Sequence, residues 1–282
     1  MPNCASGFLL VCIGLGLASA NAADLKAVEN QAKAEFYGKD FLMSHAYLSS
    51  KLRFNSSGAL VGQSEEGTWT MNGVVHVTDV EVKPNLIRVQ ASREILILRT
   101  IDGVFGMQLI LLPKSVDAAI EVSGNIETLD DVKRTVALVF HQENLRQKLN
   151  GYWHEVAKVT GVDPKSGHMD IQGAQGGVFG YLEGERPVYF HSSQVQPPKA
   201  VHKGELEYSR TAAAKRTQGK TFMLVVVDER GYPAILHLVK DLGDDLDVQS
   251  MAGASQWRFR PATKDGQAVA CVINLMARFT SY

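Results

Sequence analysis

The sequence predicts an α+β protein: an N-terminal antiparallel β-rich domain with flanking helices, a flexible linker, and a C-terminal three-stranded antiparallel sheet packed by two helices. Three observations carry this expectation. Short apolar runs broken by turn residues fill positions 41–122. A stretch rich in Gly, Pro and polar residues follows at 159–204. The chain then closes with a helix, a hairpin, a second helix and a cleanly alternating strand. The resulting division is 1–22 as an export signal, 23–158 as the first domain, 159–204 as the linker and 205–282 as the second domain.

The signal rests on the apolar run Phe8–Ala20 followed by the small-x-small stretch Ala20-Asn21-Ala22. The run is shorter than the roughly 20 residues that span a bilayer. No Lys or Arg precedes it, so an uncleaved anchor stays open beside a cleaved signal that leaves Ala23 first. Cys4 and Cys12 lie within this segment, and Val11 is bulky for the position before a lipid-bearing cysteine. A cleaved chain keeps Cys271 alone and has no internal disulfide; as part of an alternating strand, Cys271 reads as a small core hydrophobe.

Asp24–Glu35 reads as a helix with Leu25, Val28, Ala32 and Phe36 on one face. Candidate strands follow at Phe41–Leu48, Lys51–Phe54, Gly67–Met71, Val74–Val82, Leu86–Ala91, Ile95–Thr100 and Met107–Leu112, with Val116–Val122 as a further one. Turns fall at Asn55-Ser56-Ser57-Gly58, Asn72-Gly73, Pro84-Asn85 and Asp102-Gly103, the pattern of a curled antiparallel meander. Thr128 opens a helix with Leu129, Val132, Val136, Val139 and Phe140 at helical spacing, ending near Asn150-Gly151. Asp130 and Asp131 sit in its first turn, where the helix dipole favours them. Within the linker, a hairpin is expected around Gly180–Phe190.

In the second domain, Glu205–Arg216 reads as a helix, Thr221–Val227 as a strand, Asp228-Glu229-Arg230-Gly231 as a hairpin turn and Ala234–Lys240 as the returning strand. Asp247 is placed as the cap of a second helix through Trp257, with Ser250, Met251, Ala254 and Trp257 inward. Lys264-Asp265-Gly266 turns the chain into Val269–Phe279, where Val269, Cys271, Ile273, Leu275, Ala277 and Phe279 share one face. Met223, Val225 and Val227 should face the helices. Phe222, Leu224 and Val226 opposite them are apolar too, as are Ile235 and Val239, so the second face is expected to pack on the first domain or on another copy.

This order of elements, with Tyr208, Gly231, Leu246-Asp247, Gln256-Trp257-Arg258-Phe259, Pro261-Ala262, Asp265-Gly266 and Phe279 in place, resembles the C-terminal domain of TonB-family proteins. The first domain resembles that of a TonB-family subgroup more loosely, through Gly67-x-Trp69-Thr70-x-x-Gly73. The resemblance implies that Tyr208, Gly231, Asp247, Trp257, Phe259, Pro261 and Gly266 are structural. It implies that the last strand is an edge where a peptide segment of an outer-membrane TonB-dependent receptor adds in strand form. Val269, Ala270, Cys271, Val272, Asn274, Met276 and Arg278 are then the binding residues, with Asn274, Met276 and Arg278 tuning choice. It implies a role in TonB-dependent transport from the periplasm, with inner-membrane motor proteins as partners if the N-terminus stays uncleaved. The alternative is a non-energised periplasmic adaptor using the same edge. Neither a Pro-rich rigid spacer nor a Pro after Tyr208 is present; Ser209 stands there.

The chain has 282 residues, 45% hydrophobic, with a formal net charge of -1. That balance argues against a nucleic-acid partner. His141, His154, His168 and Asp170 lack metal-ligand spacing, and Asp244, Asp245 and Asp247 read as turn and cap residues, so no metal and no cofactor is expected. The Gly173–Gly177 run neither follows a clear strand nor opens a helix, which argues against a phosphate loop. No nucleophile–base arrangement is legible, and an enzyme is not expected.

Overall fold

The computed structural model describes residues 22–101, 104–149, 179–180, 187–190, 193–243 and 245–280. The export signal, most of 159–186 and the Gly173–Gly177 run lie outside these residues. Helix α1 (Ala22–Phe36) opens the described chain and buries Val28, Ala32 and Phe36. It precedes strands β1 (Asp40–Met43), β2 (Lys51–Phe54), β3 (Val74–Lys83), β4 (Leu86–Ile101) and β5 (Val104–Glu121). β3, β4 and β5 form an antiparallel meander, β1 lies antiparallel beside β3, and β2 runs parallel beside β5. Alternation decides which face is apolar: Val75, Val77, Ile87, Val89, Ala118 and Ile120 pack with Phe54 and the helices into one core.

Helix α2 (Leu129–Val136) starts with a capping box in which Thr128 and Asp131 satisfy each other's backbone N–H groups. The expected single helix from Thr128 to Asn150 is two helices. Val136 ends α2, Val139 O accepts from Ser44 N (2.8 Å), and β6 (Phe140–His141) pairs with β1 before α3 (142–149) begins. Strand pairing overrides the helical spacing of Val139 and Phe140.

Three further expectations are corrected. Leu86–Ala91 and Ile95–Thr100 belong to one strand, as do Met107–Leu112 and all of Val116–Val122 but its last residue. The pattern breaks because the β4–β5 ladder shifts register between Ser92 and Glu94, opposite the stretch of β5 that carries Pro113, a residue with no N–H for a ladder bond. Gly67–Met71 is not a strand; Trp69–Gly73 forms a π-helical turn.

The C-terminal module contains α4 (Arg210–Lys215), β11 (Gly219–Val227), β12 (Pro233–Lys240), α5 (Leu246–Ser255), β13 (Arg258–Arg260), β14 (Ala262–Lys264) and β15 (Gln267–Phe279). β11 lies between β12 and β15, antiparallel to both. Met223, Val225, Val227, Leu238, Ala277 and Phe279 face Leu246, Met251 and Ala254 of α5. The buried hydroxyls at this contact are satisfied: Thr221 donates to Ser250 (2.8 Å), and Ser250 donates to Leu246 O (2.7 Å). Asp247 is not the cap. Asp245 holds that position at φ 64 without a side-chain bond, while Asp247 accepts from Leu242 N (2.7 Å) and Gly243 N (3.3 Å) and so ties the incoming loop to the helix.

The two halves share one continuous sheet. β3 leaves β4 at the pair Val74–Glu94, and β12 takes its place in parallel from Leu236–Ile97 to Leu238–Arg99. The π-turn occupies the changeover. Thr68 donates to Pro233 O (2.7 Å) and Thr70 to Ala234 O (2.5 Å), so two buried hydroxyls bind the first carbonyls of β12. Met71, Ile95, Ile97, Ile110 and Leu112 of the first half join the core of the C-terminal module. Buried Arg93 fixes the same region by donating to the carbonyls of Asn72, Tyr47 and Ser49. Burial alone lowers its pKa to about 10, which leaves it charged at neutral pH.

The described part of the linker is also built into sheets. β7 (Phe179–Gly180) and β8 (Pro187–Phe190) form the expected hairpin, β9 (Val195–Gln196) pairs with β14, and β10 (Lys199–His202) pairs with β13. The second face of the C-terminal sheet is covered at one end only. Val226 and His237 are buried, whereas Phe222, Val239 and Met276 are exposed.

Candidate peptide-binding edge

The last strand is long because its sequence alternates without interruption, and its inward residues Ile273, Leu275, Ala277 and Phe279 sit on the module's core. The motif residues hold that strand in place. Phe279 meets Tyr208 edge-on at 5.8 Å between ring centroids, and the Tyr208 hydroxyl donates to Thr217 O. Trp257 and Phe259 lie 5.7 Å apart, and Phe259 N donates to Gly231 O (2.9 Å). Gly231 has φ +88 and a Cβ there would meet the Phe259 carbonyl oxygen, so this turn requires glycine. Half-buried Pro261 separates β13 from β14, and Asp265 and Gly266, both at positive φ, turn β14 into β15.

The seven predicted binding residues do not share one environment. Val269 pairs with Ala262 of β14. Ala270, Cys271 and Val272 pair in parallel with Val188, Tyr189 and Phe190 of β8. Their backbone is therefore occupied by the chain itself. Cys271 is buried, and burial pushes its thiol pKa up, which keeps it a neutral core group. From Ile273 to Phe279 the strand has β11 as its one sheet neighbour among the described residues. Asn274, Met276 and Arg278 are exposed along this stretch. An unpaired row of backbone donors and acceptors in this setting can accept one more strand.

Residues 204–280 match the family model described as Gram-negative bacterial TonB protein C-terminal. The C-terminal module is a TonB C-terminal domain. A solution NMR structure of the Pseudomonas aeruginosa TonB C-terminal domain is similar at 21% identity, covering 32% of this chain and 88% of that one, with a TM-score of 0.26. No curated protein matches the chain. Beside this TonB domain, no described helix is long and apolar enough to cross a membrane.

Two features outside the edge were not legible in sequence. A cleft of about 700 Å³ opens where the π-turn, β1, α3 and the β11–β12 turn meet, lined by Trp69, His141, Lys148 and Arg230 among others. Lys148 sits over the Trp69 ring at 5.3 Å. In it Ser44 Oγ lies 2.8 Å from His141 Nε2, a juxtaposition of residues 97 positions apart. The hydroxyl also donates toward the carbonyls of Leu138 and Val139 (3.2 Å each). With its one proton on either carbonyl the hydroxyl accepts from the Nε2–H tautomer of His141; in the other tautomer it donates to Nε2 instead.

The second is Asp40, His76 and Glu94, whose donor atoms lie within 4.8 Å of one another on neighbouring strands. His76 Nδ1 is 2.6 Å from Asp40 Oδ1. Burial, and then the charge of Asp40, raise the Glu94 pKa to about 7, against the pull of His76. Glu94 Oε2 has no partner. Protonation of Glu94 relieves its repulsion with the Asp40 carboxylate, which is why burial and Asp40 act in the same direction.

Proposed function

We propose that the chain is a periplasmic envelope protein whose TonB domain binds an extended segment of an outer-membrane TonB-dependent receptor by strand addition. The observation that supports this most directly is the stretch Ile273–Phe279, paired on one side by β11 and flanked by exposed Asn274, Met276 and Arg278. Backbone pairing supplies affinity with little demand on sequence, while those three side chains bias which segment fits. The reading is tested by titrating the full chain with synthetic TonB-box peptides and following backbone amide shifts. Perturbations centred on 273–279 and the facing part of the sheet are expected. Saturating peptide with no shift in that stretch rules out strand addition there.

Within this role, one observation favours the adaptor over the force transducer. The TonB domain is fused to the first domain through a shared sheet and a shared core, so it is held close rather than reaching outward on a spacer. The mass of the protein's N-terminus in cells distinguishes the two. A mature chain beginning at Ala23 fits an untethered periplasmic adaptor. Retention of residues 1–22 in the inner membrane fits a transducer with access to motor proteins.

A further inference from the structure

The edge assigned to a partner already carries a strand of this chain. β8 runs parallel to β15, with Val188, Tyr189 and Phe190 beside Ala270, Cys271 and Val272. Val188 is 1% exposed, and Tyr189 packs on the cluster of Val195, Ala262 and Cys271. The contact is thus a docked strand with two anchored side chains. It is also short. β8 has four residues, whereas β15 has thirteen, and among the described residues nothing pairs on this side of it from Ile273 to Phe279.

We propose that β8 is an internal occupant of the peptide edge, a strap that a longer parallel strand displaces in order to pair along Ala270–Phe279. This rests on the strand-addition reading above. Three features carry it. First, the register is shared: the strap fills the start of the same backbone row whose remainder no described residue pairs, so a strand that begins beside Ala270 and continues past Val272 cannot coexist with it. Second, the strap is bounded by chain elements that survive its release. β9 and β10 are held by β14 and β13, so residues beyond 195 stay in place when 187–190 leave. Third, the strap opens on Pro187, which has no N–H, and β7 covers it by two pairs only, so few backbone bonds resist exchange. As part of the chain the strap acts at high effective concentration, on the order of millimolar for a short tether. It therefore filters partners by length. A segment that only replaces its three pairs gains nothing, and one that also pairs along 273–279 does.

The test compares the full-length chain with Val188→Ser and Val188→Pro, using a TonB-box peptide and a synthetic copy of residues 187–196 as probes. Far-UV circular dichroism confirms that both variants are folded, and the gentler serine variant serves if the proline one is not. Hydrogen exchange should show loss of protection at 270–272 in both variants. Each probe is expected to bind the variants at least tenfold more tightly than the parent, with protection at 270–272 restored on binding. Equal affinity for parent and variants despite lost protection overturns the strap while leaving strand addition standing. Absence of binding by parent and variants alike overturns both.

Discussion

Along β12, the C-terminal sheet meets β4, a strand of sixteen residues that supplies Ile95 and Ile97, with Ile110 and Leu112 from β5, to the module's own core. Along β15 it meets β8, four residues anchored mainly by Val188 and Tyr189. Both contacts are parallel, and each spans three residue pairs. Backbone pairing is therefore equal, and side-chain burial separates them. An edge closed by shared core behaves as part of the fold. An edge closed by a short strap is exchangeable. The first gives the molecule its rigidity and the second is where a partner can enter.

The largest expected effect is at the β12 edge. Ile97→Ala removes a fully buried side chain from the shared core and is expected to destabilise the chain by about 3 kcal/mol, against about 1 kcal/mol for Val188→Ser. Urea unfolding of the two variants checks the ratio. The comparison breaks if they are equal. The same logic predicts that a fragment restricted to residues 204–282 unfolds with poor cooperativity, because it leaves out Met71 and the four β4–β5 side chains that complete its core.

Next in size are two titrations of opposite sign. His237 lies beside Leu98 of β4 at the seam, and burial lowers its pKa from 6.5 to about 4. The folded state then holds fewer protons than the unfolded state between about pH 4 and 6.5. Stability present above that window is lost as pH falls through it. Glu94 is raised from 4.5 to about 7, so the folded state keeps a proton that the unfolded state releases, and stability falls as pH rises from about 4.5 to 7. The two slopes oppose each other in the parent. In melting-temperature profiles, His237→Gln should leave the Glu94 slope, with stability falling toward pH 7. Glu94→Gln should leave the His237 slope, with stability falling toward pH 4. Identical profiles for the two variants would remove the seam histidine from the account.

What was legible beforehand follows from which interactions are local. The alternation of Val269–Phe279 and the turns at Gly231 and Asp265-Gly266 appear in the fold as read, whereas the second helix ends at Ser255 instead of running through Trp257, and Arg258–Arg260 forms a strand. The seam does not announce itself, because Ile95 and Ile97 look the same whether they face their own domain or another. Gly67–Met71 reads as a strand because its role depends on Pro233 and Ala234 carbonyls more than 160 positions away. The strap was visible only as a hairpin near Gly180–Phe190; its docking on Ala270–Val272 is a tertiary fact. The Ser44–His141 and Asp40–His76–Glu94 groupings likewise arise from strand pairing.

A smaller effect is expected where the seam is crowded by charge. Lys114 shares a cavity of about 240 Å³ with Arg93, Arg258 and His202. Burial first, and then Arg93 and Arg258, lower its pKa. Relieving that repulsion with Lys114→Met should stabilise the chain, by no more than about 1 kcal/mol because the residue is exposed enough for solvent to screen its charge. A melting temperature lower than the parent's would mean that Lys114 holds a favourable contact instead.

The smallest effect on stability, and the sharpest on function, belongs to Met276. It stands opposite Phe222 on β11, 48% exposed, on the open stretch of β15. Met276→Lys leaves the backbone row intact and removes little buried area, so stability should stay within about 0.5 kcal/mol of the parent. The added charge lies where an incoming strand's side chains would sit. Affinity should shift toward acidic peptides and away from basic ones, by a few fold and more strongly at low salt. Val188→Ser, by contrast, should raise affinity for every peptide alike, because it frees backbone rather than changing a side-chain neighbour. Measuring both variants against one acidic and one basic peptide separates the two contributions to the β15 edge: how open it is, and what it prefers.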